Sequence, residues 1–161
     1  MRRFIVVAAI AAIIAPFAGA GTVAALGDSA HVASTVPLLV ITARDGEVVA
    51  LAKVVIHGRA FPFVIDTGAS RTLVDLSLAR QLHLRTVGKP TKVSGVGCTS
   101  ASRNVRLARW RVGGQPLPAI IATSTKVSFA GGRAIGLLGS DVLARFGAAR
   151  LDYRHAELTL G

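Results

Sequence analysis

Cysteine is almost missing from this chain. Cys98 is the only one in 161 residues, so no intrachain disulfide can form in any compartment and core packing must hold the fold. Clustered metal ligands are missing too: His31, His57, His83 and His155 stand far apart, with no Cys or Glu group around them, so neither a metal nor another cofactor is expected. Acidic residues are scarce, 8 against 19 Lys and Arg, for a net charge of +11. Long helical patterns are few, and no internal repeat is evident, which sets aside a repeat architecture. The length leaves room for one ordinary domain and not for two lobes.

What remains is an alternation of Val, Ile and Leu with 17 Gly, the pattern of many short strands. The expected class is all-β in a single lobe with one or two short helices. The positive charge raises nucleic acid as a partner, but its densest group, Arg103, Arg106, Arg109 and Arg111, alternates with Val105, Leu107, Trp110 and Val112. That is the outward row of a half-buried strand, so no nucleic-acid partner is expected.

Arg2 and Arg3 precede an uncharged stretch, residues 4–26, that as a helix would extend about 34 Å against a hydrocarbon layer of about 30 Å. Its apolar core is short, Pro16 breaks it, and Ala18-Gly19-Ala20 supplies small residues for cleavage. Residues 1–26 are read as a signal peptide, with retention as a membrane anchor the alternative. Either way the remainder is exported, to the periplasm or the cell exterior. Residues 27–35 read as a linker, and 36–161 as the domain.

Within the domain, residues 36–43 and 47–56 form a hairpin around Asp45-Gly46, and His57-Gly58-Arg59 turns the chain into a strand over 60–65. Asp75 is placed to cap a short helix running to Leu82. Strands are expected over 91–93, 103–112 and 117–123, with a loop over 124–133 and a helical turn over 141–146. A hairpin around Arg154-His155-Ala156 closes the chain.

The strand over 60–65 runs into Asp66-Thr67-Gly68-Ala69-Ser70, which puts a carboxylate on a Gly-containing turn behind a buried-looking strand. This stretch, with Phe63-Val64-Ile65 before it, resembles the active-site loop of the retropepsin-like aspartic proteases. Two further pieces match that family in order: the Gly-rich hairpin Val93-Ser94-Gly95-Val96-Gly97, and Leu137-Leu138-Gly139 followed by Asp141 and Leu143. The closing run from Leu151-Asp152-Tyr153 to Leu158-Thr159-Leu160 is similar to the end of bacterial single-domain members.

The resemblance implies a retropepsin-like half-barrel and a peptide or protein substrate. With one motif per chain it also implies a homodimer in which two Asp66 side chains share a site. Two close carboxylates cannot both ionise easily, so one serves as base towards water and the other as acid towards the leaving nitrogen. The resemblance assigns Thr67 to contacts across the dimer axis, Gly68 to close approach, and Ser70 to the outer oxygen of Asp66. Ser94, Gly95, Val96 and Gly97 become a flap over the substrate, while Leu137, Leu138 and Gly139 pack beneath the loop. Asp141 reads as a helix cap or an internal ion-pair acceptor. Many viral members carry Arg where Ser140 stands, which leaves the dimer without that internal cation. The alternative function is a catalytically silent module of the same fold that binds peptides or oligomerises.

Overall fold

The His57–Gly58 turn sets the first register of the sheet. Both residues have positive φ, 50° and 82°, the twist that a two-residue hairpin needs, and they join strand β2 (Val48–Ile56) to β3 (Arg59–Ile65) with Ile56 opposite Arg59. The structure, a computed structural model, describes residues 33–42, 46, 48–95, 98–127 and 129–161. The expected leader, residues 1–26, and residues 27–32 of the expected linker lie outside the described residues.

Strand β1 (Ser34–Thr42) begins two residues before the expected start and pairs with β2 through Leu38–Ala52 to Thr42–Val48. The remaining elements are β4 (Leu73–Asp75), helix α1 (Leu76–Gln81), β5 (Thr86–Gly95), β6 (Cys98–Leu107), β7 (Trp110–Val112), β8 (Gln115–Leu117) and β9 (Ile120–Thr125). They are followed by β10 (Gly136–Leu138), helix α2 (Ser140–Leu143), β11 (Ala149–Asp152) and β12 (Glu157–Leu160). The strands join in the order β11-β12-β1-β2-β3-β10-β4-β9-β6-β5, with the β7–β8 hairpin attached to β2. Twelve strands and two short α-helices among the described residues make the chain all-β, as its composition implied.

The expected single strand over 103–112 is two strands. Val105 and Leu107 face the core, but at Arg109 the chain takes φ 51°, the phase shifts by one residue, and Trp110 and Val112 turn inward while Arg109 stays exposed. The kink moves the chain from pairing with β9 to pairing with β2. The strand expected over 117–123 is likewise divided, since Pro118 has no N–H for a ladder and its carbonyl instead accepts the Trp110 indole N–H at 3.0 Å. In place of the loop expected from residue 124, β9 runs on to Thr125 because β4 supplies a parallel partner.

The core lies between the strand faces and the short helices, with Val54, Ile56, Phe63, Leu107, Leu138, Val142 and Leu158 among its fully buried members. His31–Gly161 forms a compact unit holding every described element and this whole core, so it has what a domain needs to fold alone. The described chain also closes on itself. Ser34 pairs with Leu160, and Gly161 packs so closely on Ala33 that an added Cβ would lie 3.0 Å from the Ala33 Cα.

Candidate active site

Strand β10 has β3 parallel on one edge and β4 antiparallel on the other, so the segment joining β3 to β4, residues 66–72, must straddle the end of β10. That topology supports the loop. Asp66 donates its N–H to the Leu138 carbonyl at 3.1 Å, which extends the β3–β10 ladder by one step and fixes the backbone of the acidic residue.

The half-buried Asp66 carboxylate accepts, at Oδ1, the Gly68 N–H at 2.9 Å and the Ala69 N–H at 3.1 Å. These two donors hold the carboxylate plane against its own turn. Among the described residues Oδ2 takes no hydrogen bond, which leaves that oxygen available beyond the turn. Thr67, Gly68 and Ser70 are exposed and Ala69 is half-buried. The hydrogen bonds on Asp66 come from backbone N–H groups and not from the Ser70 hydroxyl, because a short turn brings main-chain donors nearer than a side chain four residues on.

Beneath the loop stand the apolar pair and its glycine. Leu137 and Leu138 lie opposite Val64 and Ile65, and Gly139 lies against the loop itself. A Cβ on Gly139 would fall 2.6 Å from the Arg71 carbonyl carbon and 2.9 Å from the Ala69 oxygen. Its φ of −92° suits any residue, so space alone demands glycine here. Ser140 then secures the loop from below, donating both its N–H (2.8 Å) and its hydroxyl (3.1 Å) to the Ala69 carbonyl. At the position where viral members carry a cation, this chain places a neutral double hydrogen bond.

Thr72 is a residue that the sequence did not single out. It is 0 % exposed; its Oγ1 accepts the Gly139 N–H at 3.2 Å and donates to Asp141 Oδ1 at 2.8 Å, while its carbonyl accepts the Thr123 N–H at 3.0 Å. A threonine before Leu73-Val74 reads as an ordinary strand residue, and only the fold reveals its partners. Asp141 accordingly is not the cap, since Gly139 holds the N-cap position of α2; it sits in the first turn facing Thr72, and among the described residues it accepts no ion pair. Asp75 does cap α1, accepting the Ser77 N–H at 2.7 Å and the Val127 N–H at 3.2 Å. Burial works against its ionisation, but the hydrogen bonds from Ser77 and Val127 outweigh it and hold the carboxyl below its ordinary value.

The fold thus brings Asp66, Ala69, Leu137, Leu138 and Gly139 into one assembly. The expected flap is a hairpin of β5 and β6, with Ser94 opposite Thr99 and Gly95 opposite Cys98, while Val96 and Gly97 at its tip lie outside the described residues. The hairpin is longer than expected and carries an irregularity between Val87 and Thr91. Among the described residues no three His, Cys, Asp or Glu side chains converge as metal ligands would.

A family model for aspartyl proteases matches residues 52–142, a span from within β2 to within α2 that contains the Asp66 loop, the β5–β6 hairpin and Gly139. Among solved structures, the crystal structure of a retropepsin-like aspartic protease from Rickettsia conorii is similar at a TM-score of 0.56. It shares 20% identity, with 80% of this chain and 98% of that chain covered. That likeness speaks for the fold, which is retropepsin-like. No curated protein matches the chain. With more than half of its length matched by the family model, the chain belongs to the aspartyl protease family.

Proposed function

We propose that the chain is an aspartic endopeptidase whose active unit is a homodimer, with one Asp66 from each protomer meeting across the two-fold axis. The observation that carries this reading is the state of Asp66. It is a carboxylate on a braced turn, with Oδ1 occupied by two backbone N–H groups, in a chain with a single Asp-Thr-Gly motif. One such carboxylate has no partner to share a proton with, and a second copy supplies it.

In the dimer, the ionised Asp66 takes a proton from a water held between the two acids as that water attacks the peptide carbonyl. The protonated Asp66 of the other protomer gives its proton to the carbonyl oxygen, and the first Asp66, now carrying the proton taken from water, passes that proton to the departing nitrogen as a hydroxyl proton of the tetrahedral intermediate returns to the second acid. The Gly68 and Ala69 N–H groups keep each carboxylate in its plane, so the pair needs little reorganisation. Thr67 holds the two loops in register, and the hairpin bearing Ser94, Gly95, Val96 and Gly97 covers an extended peptide. Ser140 braces the loop without a charge, so the dimer relies less on internal ion pairs than viral relatives do. Residues 1–26 direct the domain out of the cytoplasm, and the residues between them and β1 tether or release it there.

The test is cleavage profiling of the His31–Gly161 unit on a diverse peptide library from acidic to neutral pH, beside Asp66→Asn, with the dimer fraction measured in parallel. Cleavage by the parent and none by a folded, dimeric Asp66→Asn is expected. Undiminished hydrolysis by Asp66→Asn would reject the assignment. A parent dimer that binds peptides and never cleaves them would favour the silent module.

A further inference from the structure

Strand β2 changes partners along its length: residues 48–52 pair with β1 and residues 54–56 with β7. Where β1 departs to join β12, the outer face of the sheet is left open as a cleft of about 640 Å³. Small-ligand sites span about 300–1,000 Å³. Asp66 is absent from its lining, so the cleft is separate from the proposed catalytic centre.

The walls are apolar, built from Leu39, Leu51, Val55 and Pro62, and Leu39 is 59% exposed. The Gly113–Gly114 turn lines one end and is fixed to β1. Ser34 donates to the Gly113 carbonyl at 3.1 Å, and a Cβ at Gly113 would stand 2.2 Å from Val36 Cγ2. The rim of the cleft is therefore a built feature and not a loose loop.

Two charged residues line this apolar space, Lys53 and Arg111, and both are cations. Arg111 lies opposite Val55, which makes it the diagonal neighbour of Lys53 on the same face. Such neighbours are about 7–8 Å apart, within reach of two long side chains converging on one anion. Among the described residues the one ion pair is His155 with Asp152, so neither cation is neutralised. Glu157 stands opposite Pro37 and does not line the cleft.

We propose that this cleft binds an anionic amphiphile of the free fatty-acid class, its carboxylate held between Lys53 and Arg111 and its alkyl chain along Leu39, Leu51, Val55 and Pro62. The guanidinium fork matches a carboxylate with two parallel hydrogen bonds, and apolar surroundings strengthen that attraction relative to open water. The walls favour an alkyl chain because contact with it releases water from both surfaces. An acidic peptide fits less well. Strand addition needs a run of unpaired backbone, and between its two partners β2 leaves a gap at Lys53 alone.

The site is tested by titrating the His31–Gly161 unit with dodecanoate below its micelle concentration, using calorimetry and the emission of Trp110, the sole tryptophan and the neighbour of Arg111. One saturable site per chain is expected. Lys53→Gln with Arg111→Gln should weaken binding at least tenfold with circular dichroism unchanged. Leu39→Asp should weaken it as well, dodecanol should bind at least tenfold more weakly than dodecanoate, and millimolar acetate should not bind. Asp66→Asn should bind as the parent does, which separates this site from the protease reading.

Equal binding by the double variant, equal binding of dodecanol, or no saturable site overturns the proposal. A full chain that excludes dodecanoate while the unit binds it would make the chain's own N-terminal segment the occupant, also against the proposal. So would a dimer that excludes dodecanoate and is dissociated by Leu39→Asp, which would make the occupant a second copy.

Discussion

Replacing Thr72 by valine would keep the shape of the side chain and remove its hydroxyl alone. The hydroxyl accepts the Gly139 N–H at 3.2 Å and donates to Asp141 at 2.8 Å, at a position that is 0 % exposed. In Thr72→Val the buried Gly139 N–H has no acceptor, a loss of about 1–3 kcal/mol. Asp141 is half-buried and regains water, so it adds less, and the expected destabilisation is about 2 kcal/mol. Thr72→Ser keeps the hydroxyl and loses one methyl, which costs about 1 kcal/mol. Valine should thus be the worse substitution by roughly 1 kcal/mol, although it fills the space better. Urea unfolding of the His31–Gly161 unit decides the order through the shift in midpoint at constant m. A Thr72→Val midpoint equal to or above that of Thr72→Ser would refute the role assigned to the hydroxyl.

Gly139→Ala should destabilise the unit by about 1–3 kcal/mol through overpacking. It should also lower turnover at least tenfold at temperatures where the protein stays folded, since the new Cβ meets Arg71 and Ala69 backbone that only a shifted Asp66 loop can vacate. A folded Gly139→Ala unit with parental turnover would show that the loop tolerates the shift. Asp75 has a lowered carboxyl pKa, so its stabilising contribution is present above the ordinary value of 3.8 and is lost as pH falls from there through the folded value. Asp75→Asn should flatten that region of the acid unfolding curve, and an unchanged curve would contradict the capping geometry. His155 is raised above its ordinary 6.5, chiefly by the hydrogen bond to Asp152 at 2.9 Å, while that same bond lowers Asp152. The pair therefore contributes between the falling Asp152 transition in acid and the His155 transition above 6.5. An NMR titration should show His155 returning towards 6.5 in Asp152→Asn, and a constant value would remove the pair.

The features of the fold legible in the sequence are those set by local chemistry. Asp-Gly and His-Gly placed two hairpins, Asp75 announced its helix, and Asp66-Thr67-Gly68 with Leu137-Leu138-Gly139 marked two segments that the sheet joins. What escaped the sequence depends on distant partners. The phase shift at Arg109 is present in the sequence, where the apolar positions pass from Val105 and Leu107 to Trp110 and Val112, but the exchange of partners from β9 to β2 that it serves is not. The parallel partner of β9 comes from β4, about fifty residues earlier, so Ser124 and Thr125, which read as the start of a loop, are in fact buried strand. Thr72 and Asp141 were unreadable as a pair for the same reason, and Ser140 was notable only as a departure from relatives. Its hydrogen bonds to Ala69 are visible once the corner after β10 is seen to meet the loop.

The antiparallel pairing of Ser34 with Leu160 also decides how the domain bears mechanical load. A pull applied at Ala33 and Gly161 acts on two neighbouring points at one end of a ladder, so its rungs break in succession, as in a zipper, instead of sharing the force in shear. The domain should therefore yield to gentle traction along this axis, and its first fragments to peel away would be the two terminal strands, well before the braced turn bearing Asp66 feels any tension.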